Sequence, residues 1–274
     1  MFFHSLSLVF LLASFLTSVN PLPSKTKRAP TLWLVSDSTC ASYNPKRSPI
    51  QGFGYFLPEY FTLNVANRAR GGRSTRSYIN EGLWVELMGL IKPNDIVMIE
   101  MGHNDMGTPG VGHDIGRDCA VLSGTGNRSI QVINKHGQTE TVYTFGHYLR
   151  SMVFDLRHHG AIPILSGMVP RMIWSAGNST LDPNRRVTNY AKQIADELKT
   201  GWVDHTKYSV ERFQALGKNT SIAMFPQDHT HTNAAGAKLN AETFVTGVKC
   251  GTTQAVKDLA KYLSDEGKSV MWRC

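Results

Sequence analysis

The chain has 274 residues, of which 41% are hydrophobic and 18% are charged, and its formal net charge at pH 7 is +8. This composition is typical of a globular protein and excludes a low-complexity or collagen-like chain. The basic residues form no long run, so the charge does not indicate nucleic-acid binding and suits an acidic polymer instead.

The N-terminal segment has the pattern of a secretory leader. Residues 6–19, LSLVFLLASFLTSV, are apolar, short for a membrane span, and placed where the hydrophobic region of a signal peptide belongs. We interpret residues 1–19 as a signal peptide and residues 20–28, which end in Lys27-Arg28, as a candidate propeptide, so that no membrane segment remains after processing. Residues 1–28 hold three Lys/Arg and no Asp/Glu, so their removal lowers the formal charge from +8 to +5.

Sequons and cysteines agree with a secreted, extracellular glycoprotein. In a secreted chain, Asn-X-Ser/Thr triplets are glycosylation acceptors. They occur at Asn127, Asn178 and Asn219. Of the four cysteines, Cys250 and Cys274 bracket the C-terminal segment and are predicted to form a disulfide, worth about 3 kcal/mol in the chain-entropy model. Cys40 and Cys119 either form a second bridge or stay reduced and buried.

Short apolar runs and helical segments alternate along the rest of the chain. The predicted strands are 32–35, 62–66, 95–101, 161–165 and 202–203. The predicted helices are 83–91, with Leu83, Leu87 and Leu90 on one side, and 145–158, 187–198 and 233–248, the last capped by Asn233. Strands that are apolar on both faces and alternate with helices form a parallel sheet covered on both sides. We therefore predict a single three-layer α/β/α domain over residues 29–274.

One long stretch, residues 107–141, is rich in Gly, Asp, Asn and Thr and is predicted to be irregular. It exceeds the usual length of a connection in a compact domain. Such a loop is usually functional or disordered.

Polar side chains follow the predicted strands at the edge where ligands of parallel sheets bind. Ser38 follows the first strand, Gly72 the second and Asn104 the third, and Asp228 and His231 precede the last helix. A serine becomes a nucleophile when an imidazole removes its proton and a carboxylate orients that imidazole. Backbone N–H groups and an asparagine amide can hold the oxyanion that forms. The set therefore predicts acyl transfer, with Ser38, Asp228 and His231 as the triad and Ser38, Gly72 and Asn104 as the oxyanion hole.

Each of these residues also has an ordinary structural interpretation. Ser38 alone would be a helix N-cap, Gly71-Gly72 a tight turn and Asn104 part of an Asx-turn. His229 and His231 could bind a metal with Asp228, although no further ligand has convincing spacing, and we predict no metal. The arginines of the second block form either a solvated basic face or a patch for a polyanionic substrate. They are Arg68, Arg70, Arg73 and Arg76. No G-x-S-x-G elbow, P-loop or G-x-G-x-x-G is present, which disfavours ordinary lipases and nucleotide chemistry.

Five blocks together resemble the SGNH (GDSL-like) hydrolases, and among them the fungal rhamnogalacturonan acetylesterases. They are SDST at 36–39, GGRSTRSY at 71–78, EMGHND at 100–105, GRDC with SGTG at 116–126, and FPQDHTHT at 225–232. The resemblance implies a five-stranded parallel sheet of flavodoxin-like order and no metal or cofactor. It also implies the catalytic roles given above and the Cys250–Cys274 disulfide.

The resemblance further implies a serine esterase that removes acetyl groups from galacturonate residues in the rhamnogalacturonan backbone of pectin. We expect this enzyme to be secreted and monomeric. Two departures stand out: Ser36 occupies the family's usual glycine position, and Cys119 lacks its local disulfide partner, for which Cys40 is the candidate replacement. The alternatives are an acetylesterase for xylan or mannan, and a secreted carbohydrate-binding protein without catalysis.

Overall fold

The computed structural model describes residues 28–177, 180–183, 185–271 and 273–274. The predicted signal peptide, residues 20–27 of the candidate propeptide and the Asn178 sequon lie outside the described residues. Asn127 and Asn219, the other two sequon positions, are exposed.

Five parallel strands form the centre of the domain. Within the described residues the strands are β1 (Thr31–Ser36), β2 (Asn64–Asn67), β3 (Ile96–Glu100), β4 (Ser129–Ile133), β5 (Thr139–Tyr143), β6 (Ile162–Ser166) and β7 (Gly201–Val203). The parallel sheet has the order β2-β1-β3-β6-β7, while β4 and β5 pair antiparallel outside it. All five predicted strands are present, with ends shifted by no more than two residues. The flavodoxin-like order is confirmed.

Ten α-helices occur in the described chain. They are α1 (Leu57–Tyr60), α2 (Thr75–Asn80), α3 (Leu83–Leu90), α4 (Phe145–His158), α5 (Arg185–Glu197), α6 (His205–Leu216), α7 (Lys218–Ile222), α8 (Ala234–Lys249), α9 (Gln254–Ala260) and α10 (Asp265–Ser269). None of the helices in this part of the chain is both long enough and apolar enough to cross a bilayer.

Alternating side chains of the sheet build two cores. Trp33 and Val35 of β1 face a core shared with α2 to α5, whereas Leu32 and Leu34 face a core shared with α1, α8 and α9. This period of two, with both faces buried, is what a parallel sheet covered on both sides requires. The three-layer α/β/α architecture is therefore confirmed.

The buried face agrees with the sequence prediction in α4 and differs from it in α3. Leu149, Val153 and Leu156 of α4 are buried as their spacing predicts. In α3, however, the buried residues are Trp84 and Leu87, and Leu90 is 40% exposed. Trp84 faces α4, where its indole N–H donates to the Asp155 carboxylate at 2.8 Å.

The sequence predicts that residues 107–141 are irregular, and this prediction is wrong for part of the stretch. It contains a 3-10 turn at Gly112–Asp114, all of β4 and the start of β5. The two strands are joined by a turn in which the Gly137 N–H donates to the Asn134 carbonyl and Gly137 adopts φ +74°. The alternation of Ile130, Val132 and Val142 with polar residues was the signal for this hairpin.

The cysteines divide into one disulfide and two thiols. Cys250 and Cys274 are bonded, with their Cα atoms 5.4 Å apart. The second bridge, Cys40 to Cys119, is not formed: both are free and buried. The two thiols have different neighbours: Cys40 Sγ lies 4.0 Å from Asn67 Oδ1, whereas Cys119 Sγ lies 3.3 Å from the Gly72 carbonyl oxygen.

Candidate active site

Ser38 lies in a tight turn directly after β1. The Asp37 side chain accepts hydrogen bonds from the Thr39 N–H at 2.9 Å and the Thr39 hydroxyl at 2.8 Å, and the Ala41 N–H donates to the Asp37 carbonyl. The residues after Ser38 form a turn and not a helix, so the helix-cap interpretation is wrong. Asp37 thus fixes the backbone that holds the half-buried Ser38 at the strand end.

His231 joins Ser38 to Asp228 in a continuous hydrogen-bonded chain. Its Nε2 lies 2.8 Å from Ser38 Oγ and its Nδ1 lies 2.7 Å from Asp228 Oδ2. A carboxylate accepts only, so Nδ1 carries the hydrogen and Nε2 is left to accept from the serine hydroxyl. We call Ser38, His231 and Asp228 the exposed triad, because the side chains of His231 and Asp228 are 27% and 40% exposed.

The carboxylate of the exposed triad is held ionised. Partial burial alone would raise the pKa of Asp228, but hydrogen bonds from the His231 side chain and from the backbone N–H groups of His231 and Thr230 lower it to about 2. The loop is fixed in turn by the Met172 N–H, which donates to the His229 carbonyl at 2.6 Å, and by the Gln51 N–H, which donates to the Thr232 carbonyl at 2.7 Å. Both ring nitrogens of His231 take part in hydrogen bonds, to Asp228 and to Ser38, and this disfavours the interpretation of His231 as a metal ligand.

The turn after β2 lies beside the nucleophile. A Cβ at Gly71 would stand 3.7 Å from Ser38 Cβ, and Gly72 adopts φ +76°, a conformation that favours glycine. Among the described residues, neither the Ser38 N–H nor the Gly72 N–H donates to another protein group. Two backbone donors therefore remain available next to Ser38.

Asn104 follows β3 and contacts the same turn. Its Nδ2 donates to the Arg73 carbonyl at 3.1 Å, and its Oδ1 accepts from Arg117 Nη2 at 2.9 Å. The Asx-turn interpretation is wrong, because the side chain bonds to these two residues and not to its own backbone. Asn104 thus contacts the turn that carries Gly72 and that lies beside Ser38.

The four arginines of the second block do not form one surface, which corrects both sequence interpretations. Arg68 lies over the Trp33 ring, Arg73 pairs with Glu81 at 2.7 Å, and Arg70 is exposed. Arg76 is fully buried.

Carboxylates surround the Arg76 guanidinium. It forms a bidentate pair with Glu140, with both distances 2.7 Å, and donates to Asp114 Oδ2 and to the Ala120 carbonyl at 3.0 Å each. Although burial alone would lower the pKa of Arg76, these partners raise it. A buried charge needs such partners, and these connect α2 to the 112–120 loop and to β5. This cluster has no local sequence signal, because the carboxylates lie 38 and 64 residues from Arg76 along the chain.

A second serine, histidine and carboxylate contact one another in the interior, at the carboxyl ends of β3 and β6. The Ser166 hydroxyl donates to Glu100 Oε2 at 2.6 Å, and His205 Nδ1 lies 2.8 Å from the same oxygen. His205 Nε2 donates to the Asn240 carbonyl at 2.8 Å. We call Ser166, Glu100 and His205 the buried triad, since each is at most 1% exposed.

Comparisons with known proteins agree on one family. A family model described as GDSL-like Lipase/Acylhydrolase matches residues 37–244. A rhamnogalacturonan acetylesterase of Emericella nidulans is 36% identical over 86% of this chain and 90% of its own length. "Probable rhamnogalacturonan acetylesterase YesY" of Bacillus subtilis is 28% identical over 80% of this chain and 92% of its own.

A solved structure agrees with the fold. Protein YxiM of Bacillus subtilis superposes with a TM-score of 0.64 and 25% identity, over 81% of this chain. This chain spans only 56% of the YxiM chain, so the likeness concerns that part alone.

Proposed function

Because the chain belongs to the GDSL-like lipase/acylhydrolase family and is a carboxylic ester hydrolase, we propose that it is a serine acetylesterase for the rhamnogalacturonan backbone of pectin. The observation that carries the reaction is the hydrogen-bonded order Ser38, His231, Asp228. The substrate is supported by the 36% identical relative, a rhamnogalacturonan acetylesterase, and by the basic charge of the chain, which suits a polyuronate.

In this reaction His231 Nε2 takes the Ser38 proton while Ser38 Oγ attacks the acetyl carbonyl carbon. Collapse of the tetrahedral intermediate breaks the ester bond, and the sugar oxygen leaves with the proton from His231. Water then attacks the acetyl carbon of the acetyl-enzyme while His231 takes a proton from it. Collapse of this second tetrahedral intermediate breaks the bond between Ser38 Oγ and the acetyl carbon, Ser38 Oγ regains a proton from His231, and the acetic acid leaves and ionises to acetate. Asp228 stays ionised throughout and stabilises the charged imidazole between these steps.

The oxyanion is held by three donors in the proposed reaction. They are the N–H groups of Ser38 and Gly72 and the Asn104 amide. Donors fixed before the reaction stabilise the developing charge without having to reorganise, and one such donor typically contributes 10²–10³ in kcat. The positive φ of Gly72 presents its peptide to the site at no steric cost.

The enzyme is proposed to act outside the cell. The leader-like segment at 6–19, the three sequons and the Cys250–Cys274 disulfide support secretion. Expression with the full leader, followed by N-terminal sequencing of protein recovered from the medium, tests this; retention of an uncleaved leader in the cell would contradict it.

The substrate is tested by acetate release from a panel of purified acetylated polysaccharides: rhamnogalacturonan, homogalacturonan, xylan and mannan. We expect the highest kcat/KM on rhamnogalacturonan and no release by the Ser38→Ala protein. Faster release from xylan or mannan would overturn the pectin substrate while leaving the esterase chemistry in place.

A further inference from the structure

The Asn104 amide can serve an oxyanion in only one of its two orientations. Its nitrogen must face the reaction centre, because the amide oxygen would repel a negative charge. Asn104 Nδ2 already donates to the Arg73 carbonyl, and Oδ1 accepts from Arg117 Nη2. A carbonyl cannot donate and a guanidinium cannot accept a hydrogen bond. A flipped amide would therefore place its oxygen against the Arg73 carbonyl oxygen and its N–H groups against the N–H groups of Arg117, and both hydrogen bonds would be lost.

We propose that Arg117 is a positioning residue for the oxyanion hole: it holds the Asn104 amide with its nitrogen towards the reacting carbonyl. The inference rests on the proposed function and adds a residue to it. Arg117 acts through Asn104 and needs no contact of its own with the substrate. One of its five N–H donors is sufficient for this role.

Arg117 starts from a rigid backbone. Asp114 Oδ1 accepts from the Cys119 and Ala120 N–H groups at 2.6 Å each, and Asp114 Oδ2 accepts from the Gly110 N–H at 2.7 Å. Burial alone would raise the pKa of Asp114, but these N–H groups and Arg76 lower it, so the loop is organised around a carboxylate that stays charged. The guanidinium of Arg117 therefore extends from a backbone that several hydrogen bonds fix.

The same loop also contacts the turn that carries the second oxyanion donor. Cys119 Sγ donates to the Gly72 carbonyl at 3.3 Å, and burial raises the pKa of this thiol, so it keeps its proton. One loop thus contacts both the Gly72 carbonyl, in the peptide that follows the oxyanion donor, and the Asn104 amide.

A competing role for Arg117 is direct binding of a galacturonate carboxylate. Its side chain is exposed at a cleft of about 320 Å³ that also includes Asn104, Met106 and Val111. The two roles predict different substrate dependence. A positioning residue affects every ester alike, whereas a carboxylate-binding residue affects only substrates that carry the carboxylate.

The test compares Arg117→Ala with wild type on 4-nitrophenyl acetate, which is neutral, and on acetylated rhamnogalacturonan. We expect kcat to fall about 10- to 100-fold on both, with KM nearly unchanged, and Arg117→Lys to recover part of the loss. In an Asn104→Ala background, which itself lowers kcat about 10²–10³-fold, Arg117→Ala should change kcat by less than about twofold. Arg128→Ala, which removes another exposed charge, is the control and should leave kcat unchanged.

Two outcomes would overturn the positioning role. A loss confined to rhamnogalacturonan would assign Arg117 to the substrate carboxylate, and full additivity with Asn104→Ala would show that the two residues act independently. Because Arg117 is exposed, its variants are expected to fold, which circular dichroism checks. Failure of the proposed function would show separately, as hydrolysis that survives Ser38→Ala.

Discussion

The exposed triad and the buried triad contain a serine, a histidine and a carboxylate each, but in a different order. In the exposed triad the imidazole lies between serine and carboxylate, so Nε2 of His231 can accept the Ser38 proton. In the buried triad the carboxylate of Glu100 lies in the middle, and it accepts from Ser166 and contacts His205 Nδ1. The Ser166 hydroxyl therefore donates to a carboxylate and not to an imidazole nitrogen.

The difference shows that composition alone does not make a nucleophile. Nε2 of His205 is used by the Asn240 carbonyl, and no substrate can reach a serine that is 1% exposed. The buried triad instead connects β3, β6, α6 and α8, since Asn240 belongs to α8. One set of side chains is arranged for proton transfer and the other for stability.

The largest expected effect is on the exposed triad. Ser38→Ala should lower kcat about 10⁴- to 10⁶-fold, because it removes the group that bonds to the acetyl carbon. Acetate release measured in single-turnover and steady-state assays checks this, with circular dichroism to show that the protein is folded. Activity within tenfold of wild type would refute the assignment of the nucleophile.

Substitutions in the buried triad should lower the stability of the protein. Glu100→Ala is expected to lower the free energy of unfolding by about 3–5 kcal/mol, because removal of one partner leaves the other buried groups without a counterpart. Urea denaturation measures the effect. Asp196→Ala, which breaks the surface pair with Lys192, is the control and should cost about 0.3–0.5 kcal/mol. Equal losses in the two variants would contradict the structural role.

Ser166→Ala is the direct counterpart of Ser38→Ala. It should lower the free energy of unfolding by about 1.5–3 kcal/mol through the lost hydrogen bond to the Glu100 carboxylate, and leave kcat within about twofold of wild type. The same acetate assay and urea titration measure both quantities. A large fall in kcat without a loss of stability would mean that the two triads are not functionally separate.

The smallest expected effect is the pH dependence of the Asp228 contribution to stability. The pKa of Asp228 is lowered in the folded protein from 3.8 to about 2, so its stabilising effect is complete above about pH 4 and disappears as the pH falls towards 2. The difference in unfolding free energy between wild type and Asp228→Asn should shrink over that range. The side chain is 40% exposed, so solvent screening keeps the effect small. A difference that grows on acidification would contradict the direction of the shift.

The sheet and the site positions could be predicted because local signals defined them. Apolar runs such as Ile96–Glu100 alternated with helices, and polar residues followed them at the strand ends. Helix α6 was missed because its buried face includes His205, Thr206 and Ser209, which weakens its apolar periodicity. The hairpin of β4 and β5 was missed because its mostly exposed strands lie in a segment rich in loop residues.

Contacts between residues far apart in the chain could not be predicted from the sequence. Nothing near Arg76 distinguishes it from the exposed Arg70, because its carboxylate partners become neighbours only in the folded chain. Likewise, Arg117 stands in a loop whose path depends on Asp114. The roles of Ser38, Gly72, Asn104, Asp228 and His231 stay predictions until the variants are measured.

The ion cluster around Arg76 affects local unfolding of the protein. The Arg76 guanidinium extends from α2 and contacts both the 112–120 loop and β5. If one of these segments moved away from the others, a buried charge would lose its partner. Their amide hydrogens should therefore exchange with solvent as one cooperative unit. The oxyanion hole would be lost in the same event, so transient inactivation and exchange of this region should share one free energy of opening.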